Sequence, residues 1–103
     1  MPRPILSMEA KRDLKNIQDY ISDEQEAPKV ALKVIESILN RIEKLIDFPN
    51  TGTLLSPKVN FPTSYRYVRA SGYLAFYRHE NNQLLVDRVI HEKRDYISIL
   101  FPN

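Results

Sequence analysis

The sequence has no cysteine, no tryptophan, two glycines and two histidines in 103 residues. Without cysteine there are no disulfides and no thiolate metal ligands. Two histidines alone do not predict a dedicated metal site. Two glycines leave no phosphate-cradling glycine loop, and neither Gly-x-Ser-x-Gly nor His-Glu-x-x-His occurs. No apolar run approaches bilayer-spanning length, and the N-terminus lacks the apolar stretch of a signal peptide. These absences predict a soluble, cytoplasmic protein with no cofactor, no metal and no membrane contact.

What is present is an ordinary globular balance, 43% hydrophobic and 27% charged, at a length that predicts a single domain over residues 1–103. The net charge of +2 is unevenly spread: residues 1–57 carry 8 basic and 9 acidic side chains, residues 58–103 carry 7 and 4. A basic excess in one half points to an anionic partner or to an ordinary solvated surface.

Arg3 to Leu6 is short and contains Pro4, so a strand there belongs at a sheet edge. Ser7 is placed to cap a helix, with Glu9 in its first turn. Ala10, Leu14, Ile17 and Ile21 then recur at helical spacing. Ser22 to Glu26 is polar and predicts the connection. Pro28 suits the first turn of a second helix, whose stripe is Ala31, Ile35, Ile38, Ile42 and Leu45. That helix is expected to run to Asp47, stopped by Phe48-Pro49. The two stripes predict an antiparallel hairpin covering a sheet. Residues 49–62 hold three prolines and one glycine and predict a loop, tacked down by Leu54, Leu55 and Phe61.

Residues 65–101 hold five of the six tyrosines and both histidines. Thr63 to Ala70 alternates, with Tyr65, Tyr67 and Arg69 on one face and Arg66, Val68 and Ala70 on the other. Ser71-Gly72 and Glu80–Gln83 are hairpin turn signals. Tyr73 to Arg78 is apolar on both faces, as a central strand is, and Leu84 to Ile90 is a further strand. His91 to Asp95 is a charged exit, and Tyr96 to Phe101 is an apolar tail that must dock on the domain or meet a partner.

Chemistry, if there is any, falls on this half. Metal-free RNA cleavage needs a general base, cations on the phosphate and an acid for the leaving oxygen. His91 suits the acid or base role. Arg66, Arg69, Arg78 and Arg94 suit phosphate. Tyr65, Tyr67 or Tyr96 suit base stacking. The same residues read equally as a solvated turn and half-buried sheet packing. The carboxylate pairs Asp23/Glu24 and Glu43/Asp47 read as solvated helix surface.

Three segments resemble the RelE/ParE superfamily of toxins from bacterial type II toxin–antitoxin modules. Ile5 to Leu14 resembles its first strand and S-x-E-A-x-x-D-L helix start. Tyr65-Arg66-Tyr67 through Gly72-Tyr73-Leu74-Ala75-Phe76-Tyr77-Arg78 resembles its hairpin. Asp87 to His91 with Arg94-Asp95-Tyr96 resembles its R-V-L-H-x-x-R-D ending. The resemblance implies an α+β fold of order β-α-α-β-β-β, a helical hairpin packed on a small, mostly antiparallel sheet. Within the superfamily the apolar Tyr73–Tyr77 strand and the long hairpin resemble the ParE-like branch, which acts on DNA gyrase without a nuclease site. The RelE-like alternative enters the ribosome and cleaves mRNA. It implies His91, Arg66 and Arg94 as catalytic residues, with Arg69, Arg78, Lys93, Tyr65, Tyr67 and Tyr96 binding RNA or target. Leu74 stands where that branch usually carries arginine. An inactive member serving only as a binding partner is the third expectation. Each branch implies a cognate antitoxin partner, with Ile97, Leu100 and Phe101 expected at the antitoxin or target interface.

Overall fold

Ser7 joins three elements at the start of the chain. Its Oγ accepts a 2.9 Å hydrogen bond from the Ala10 amide, capping α1 (Met8–Asp19), and donates to the Asp87 carbonyl at 2.7 Å. Its amide donates to the Val86 carbonyl. The preceding pair, β1 (Ile5–Leu6), runs parallel to β5 (Gln83–His91) at the sheet edge, as Pro4 requires. In the computed structural model, which describes residues 3–102, the remaining elements are α2 (Pro28–Lys44), β2 (Thr53–Leu54), β3 (Arg66–Ala70), β4 (Tyr73–Glu80) and α3 (Tyr96–Leu100).

The sheet order is β1-β5-β4-β3-β2, antiparallel except for β1. The predicted α+β architecture is present, with two additions. The stretch 49–62 is not loop throughout: Thr53 and Leu54 pair with Tyr67 and Arg66 as an edge strand, followed by a 3-10 turn at Ser56–Lys58. The C-terminal tail is a short helix, its N-terminus capped where the Ser98 amide meets Asp95 Oδ1.

Helix ends also differ from the periodicity. Regular α1 stops at Asp19 and widens into a π turn over Tyr20–Glu24, closed by the Gln25 amide on the Tyr20 carbonyl. The connection is therefore Gln25–Ala27, shorter than the polar stretch Ser22–Glu26 suggests. Regular α2 stops at Lys44, and the Leu45 and Ile46 amides turn back three residues in a tightened last turn.

Both hairpins close with two residues at positive φ, Ser71 (52°) with Gly72 (85°) and Asn81 (52°) with Asn82 (60°). That backbone matches strand twist in two-residue turns. Strand β4 is apolar on both faces because it separates two cores. Tyr73, Ala75 and Tyr77 pack with the helical hairpin; Leu74 and Phe76 pack on the opposite side. Opposite Phe76 and Tyr77 the register slips, since Tyr77 pairs with Val86 and Phe76 with Arg88. Asp87 is the extra residue of this bulge. On the helix side, Ala10, Ile17, Ile38 and Ile42 meet Val68, Val86 and Val89. Burying one such isoleucine contributes about 1.5–3 kcal/mol.

Candidate functional site

The basic residues of the sheet half are mostly engaged within the chain. Arg66 donates to the Asn50 carbonyl (3.1 Å) and the Gly52 carbonyl (2.8 Å), holding the β2 loop. The buried Tyr77 hydroxyl reinforces it, donating to the Pro49 carbonyl (2.6 Å) and accepting from the Gly52 amide (2.9 Å). A Cβ at Gly52 would overlap that hydroxyl, so a side chain is excluded there. Arg69 grips Glu92 through two bonds of 2.6 and 3.1 Å, and this guanidinium holds the Glu92 carboxyl below the usual range. Arg78 meets Asp87 (2.9 Å) and Glu80 (2.8 Å). Arg88 reaches Asp13 on α1 at 2.8 and 3.0 Å, and Asp13 also accepts the Val89 amide, fixing the helix to the open edge of β5. Among the described residues, Lys58, Lys93 and Arg94 meet no carboxylate.

Tyr65, Tyr67, Phe76, Tyr96 and Phe101 line the face opposite the helices, whereas Tyr73 and Tyr77 lie beneath the hairpin. Phe76 lies 5.8 Å from the Tyr67 ring and 5.3 Å from Tyr96. Phe101 is edge-on to Phe61 (4.8 Å) and Tyr65 (5.9 Å). Lys58 sits over Tyr67 at 5.2 Å and donates to the Tyr96 hydroxyl at 3.4 Å. Tyr65 donates to Asp87 at 2.6 Å; burial first, then this carboxylate, pushes its phenol up to about 12. Leu100 and Phe101 therefore pack on the chain's own second core, while Ile97 is half-buried outside it.

His91 and Arg94 come together at the end of β5. They line a cleft of about 640 Å³ between the π turn, the first turns of α2 and the β3–β4 turn. His91 Nδ1 accepts the Lys93 amide at 3.1 Å, so the neutral ring carries its proton on Nε2. Its ring stands edge-on to Tyr73 at 5.1 Å. Arg66 is absent from this group: it pairs with Tyr77, whereas His91 pairs with Tyr73 at the other end of β4. Four residue steps along the strand separate those levels, about 13 Å.

The sequence matches the family described as the ParE toxin of type II toxin–antitoxin systems, parDE, over residues 5–96. The chain belongs to the ParE toxin family. Among solved structures it is similar to one described as the chromosomal ParDE TA system from P. aeruginosa. The TM-score is 0.72 at 20% identity, covering 88% of this chain and 96% of that one, a likeness of fold. No curated protein matches the chain.

In this ParE-family chain the predicted residues thus fall into three places. Arg66 holds a loop. Arg69, Arg78, Tyr65, Tyr67, Tyr96, Leu100 and Phe101 hold the sheet face and tail. His91, Lys93 and Arg94 stand at the end of β5, where His91 and Arg94 line the cleft. Sequence reasoning missed Asp13, Lys58 and Asp87. Asp13 and Asp87 stand in the family-like segments, but their partners are arginines elsewhere in the chain, and Lys58 acts through distant rings, so no local signal gave them these roles. Among the described residues no group of His, Cys, Asp and Glu is arranged to hold a metal, and no helix is long and apolar enough to cross a membrane.

Proposed function

We propose that this ParE-family chain is a single-domain growth inhibitor, residues 1–103, that poisons DNA gyrase in the cytoplasm and is neutralised by a cognate antitoxin. The observation that carries the choice of target is the engagement of the sheet arginines. Phosphoryl transfer needs a positioned acid or base together with cations free to meet the developing charge. Here Arg69 and Arg78 are bound to carboxylates and Arg66 to carbonyls away from His91, which leaves beside it only Lys93 and Arg94 on the exposed turn after β5. Binding to a protein target needs no such assembly, which favours gyrase over cleavage of mRNA.

The test is pulse labelling in the first minutes after inducing the chain alone. An early fall in thymidine incorporation with translation continuing is the expected result. An immediate fall in methionine incorporation with thymidine spared would replace this reading with a ribosome-dependent nuclease. No change in either would leave a partner-binding protein without toxicity. Arg94→Ala and His91→Ala sharpen the distinction. A target-binding surface loses affinity in graded steps, whereas a nuclease loses about 10²-fold or more in rate with its acid or base.

A further inference from the structure

The apolar tail is the obvious partner surface in the sequence, yet it is occupied. Tyr96, Ile99, Leu100 and Phe101 pack against Leu74, Phe76 and Ile90. Other apolar side chains stay exposed singly, such as Met8, Phe48 and Phe61, but at the cleft beside His91 exposed ones border an apolar hollow. Its floor includes Ile17, Ile21, Val34 and Val89. Its rim carries two large side chains that the fold leaves uncovered, Tyr20 at 53% and Val30 at 51% exposure. Exposed apolar side chains bordering an apolar cleft mark an interaction site more strongly than scattered ones.

The electrostatics specify the occupant. Arg94 lines the cleft and Lys93 precedes it, both exposed and, among the described residues, both without a carboxylate. The one carboxylate in the lining, Asp13, is already engaged by Arg88 and the Val89 amide. His91 Nε2–H is a further donor, since Nδ1 is taken by Lys93. Glu92 and Asp95 in the same turn are held by Arg69 and Ser98, so the β5 end presents donors and positive charge. The helical connection above carries Asp23, Glu24 and Glu26 and would repel acid. The volume admits a few side chains and not a folded domain.

We infer that this cleft, rather than the tail, docks a segment of the antitoxin that inserts apolar side chains between the π turn and β5 and lays carboxylates toward Lys93, Arg94 and His91. The inference rests on the proposed neutralisation by an antitoxin. A segment of that composition is disordered alone and folds on binding, which suits a short apolar cleft with a charged wall.

The test uses the whole chain with the full-length antitoxin, identified as the protein whose co-expression restores growth. Three variants are titrated beside the unmodified chain by calorimetry: Val30→Asp and Arg94→Glu at the cleft, and Phe61→Ser on the tail face. All three positions are exposed, so the fold is retained, and circular dichroism checks it. The two cleft variants are expected to weaken binding about tenfold or more, with Phe61→Ser close to the unmodified chain. Independently, hydrogen exchange on the unmodified complex is expected to slow over residues 16–21 and 30–34. Cleft variants that bind as the unmodified chain does, or slowing confined to residues 96–101, would overturn the inference while leaving neutralisation intact. An unmodified chain that binds no antitoxin at all would overturn both.

Discussion

On one face of the sheet, Ile17, Ile38 and Ile42 sit 8%, 1% and 1% exposed beneath two long helices, with Val68, Val86 and Val89 closing the layer from below. On the other face, Leu55, Leu74, Phe76 and Ile90 are buried under a five-residue helix and a few half-exposed rings. The first face is mostly aliphatic, with Tyr73 and Tyr77 as its aromatics, and is covered by elements anchored at both ends. The second is aromatic, and its lid is the last segment of the described chain. A wide aliphatic layer makes helix placement cooperative with strand pairing. A narrow aromatic layer can be loosened at its edge without loss of the sheet, because ring contacts and a lysine cap act one by one. The face with the weaker lid has its cations bound to carboxylates or rings, whereas the free guanidinium of Arg94 lies at the cleft beneath the helical connection.

The strongest way to break this contrast is Ile38→Ala. It opens a cavity in the helix-side layer and is expected to cost about 2–5 kcal/mol, read as a lower denaturant midpoint of a single cooperative transition. Separate loss of helix and sheet signals would show that the layer does not couple them. Asp13→Ala leaves Arg88 and the Val89 amide without their acceptor at a half-buried edge and is expected to cost about 1–3 kcal/mol by the same measurement. Phe101→Ala tests the other face. Its expected cost is smaller, about 1 kcal/mol for an aromatic pair contact at a half-exposed site. Hydrogen exchange should accelerate over Tyr96–Leu100 while α1 and α2 keep their protection. Acceleration in the helices would mean that the two faces are one unit.

The smallest effect is a titration. Burial and the Asp87 contact raise the Tyr65 phenol to about 12, so folding favours its neutral form. This contribution is fully present below the ordinary tyrosine value of 10.0 and is lost as pH rises through about 12. Asp87→Ala removes the second cause, acceptor and charge together, and leaves the first. The tyrosinate absorbance of Tyr65 should then develop at lower pH than in the unmodified chain, yet above its ordinary value. An unchanged titration would mean that burial alone sets it.

Much of the fold was legible because its signals are local. The Ser7 cap, the i, i+4, i+7 stripes of both helices and the Ser71-Gly72 and Asn81-Asn82 turns each depend on residues within one or two turns of chain. Strand β2 was not legible, since two residues show no alternation. The candidate site was legible in part. His91 and Arg94 are three residues apart and share the cleft, but Arg66 resembled their partner only in composition.

The sequence by itself determined the α+β class, the ParE-family resemblance, the hairpin and the two-faced character of Tyr73–Tyr77. Tertiary structure alone decided which cations are free, that the apolar tail closes a second core, and where an open cleft remains. The reason is sequence separation. Arg88 finds Asp13 from 75 residues away and Ser7 finds Asp87 from 80, and no local pattern announces which distant carboxylate or carbonyl will meet a given side chain.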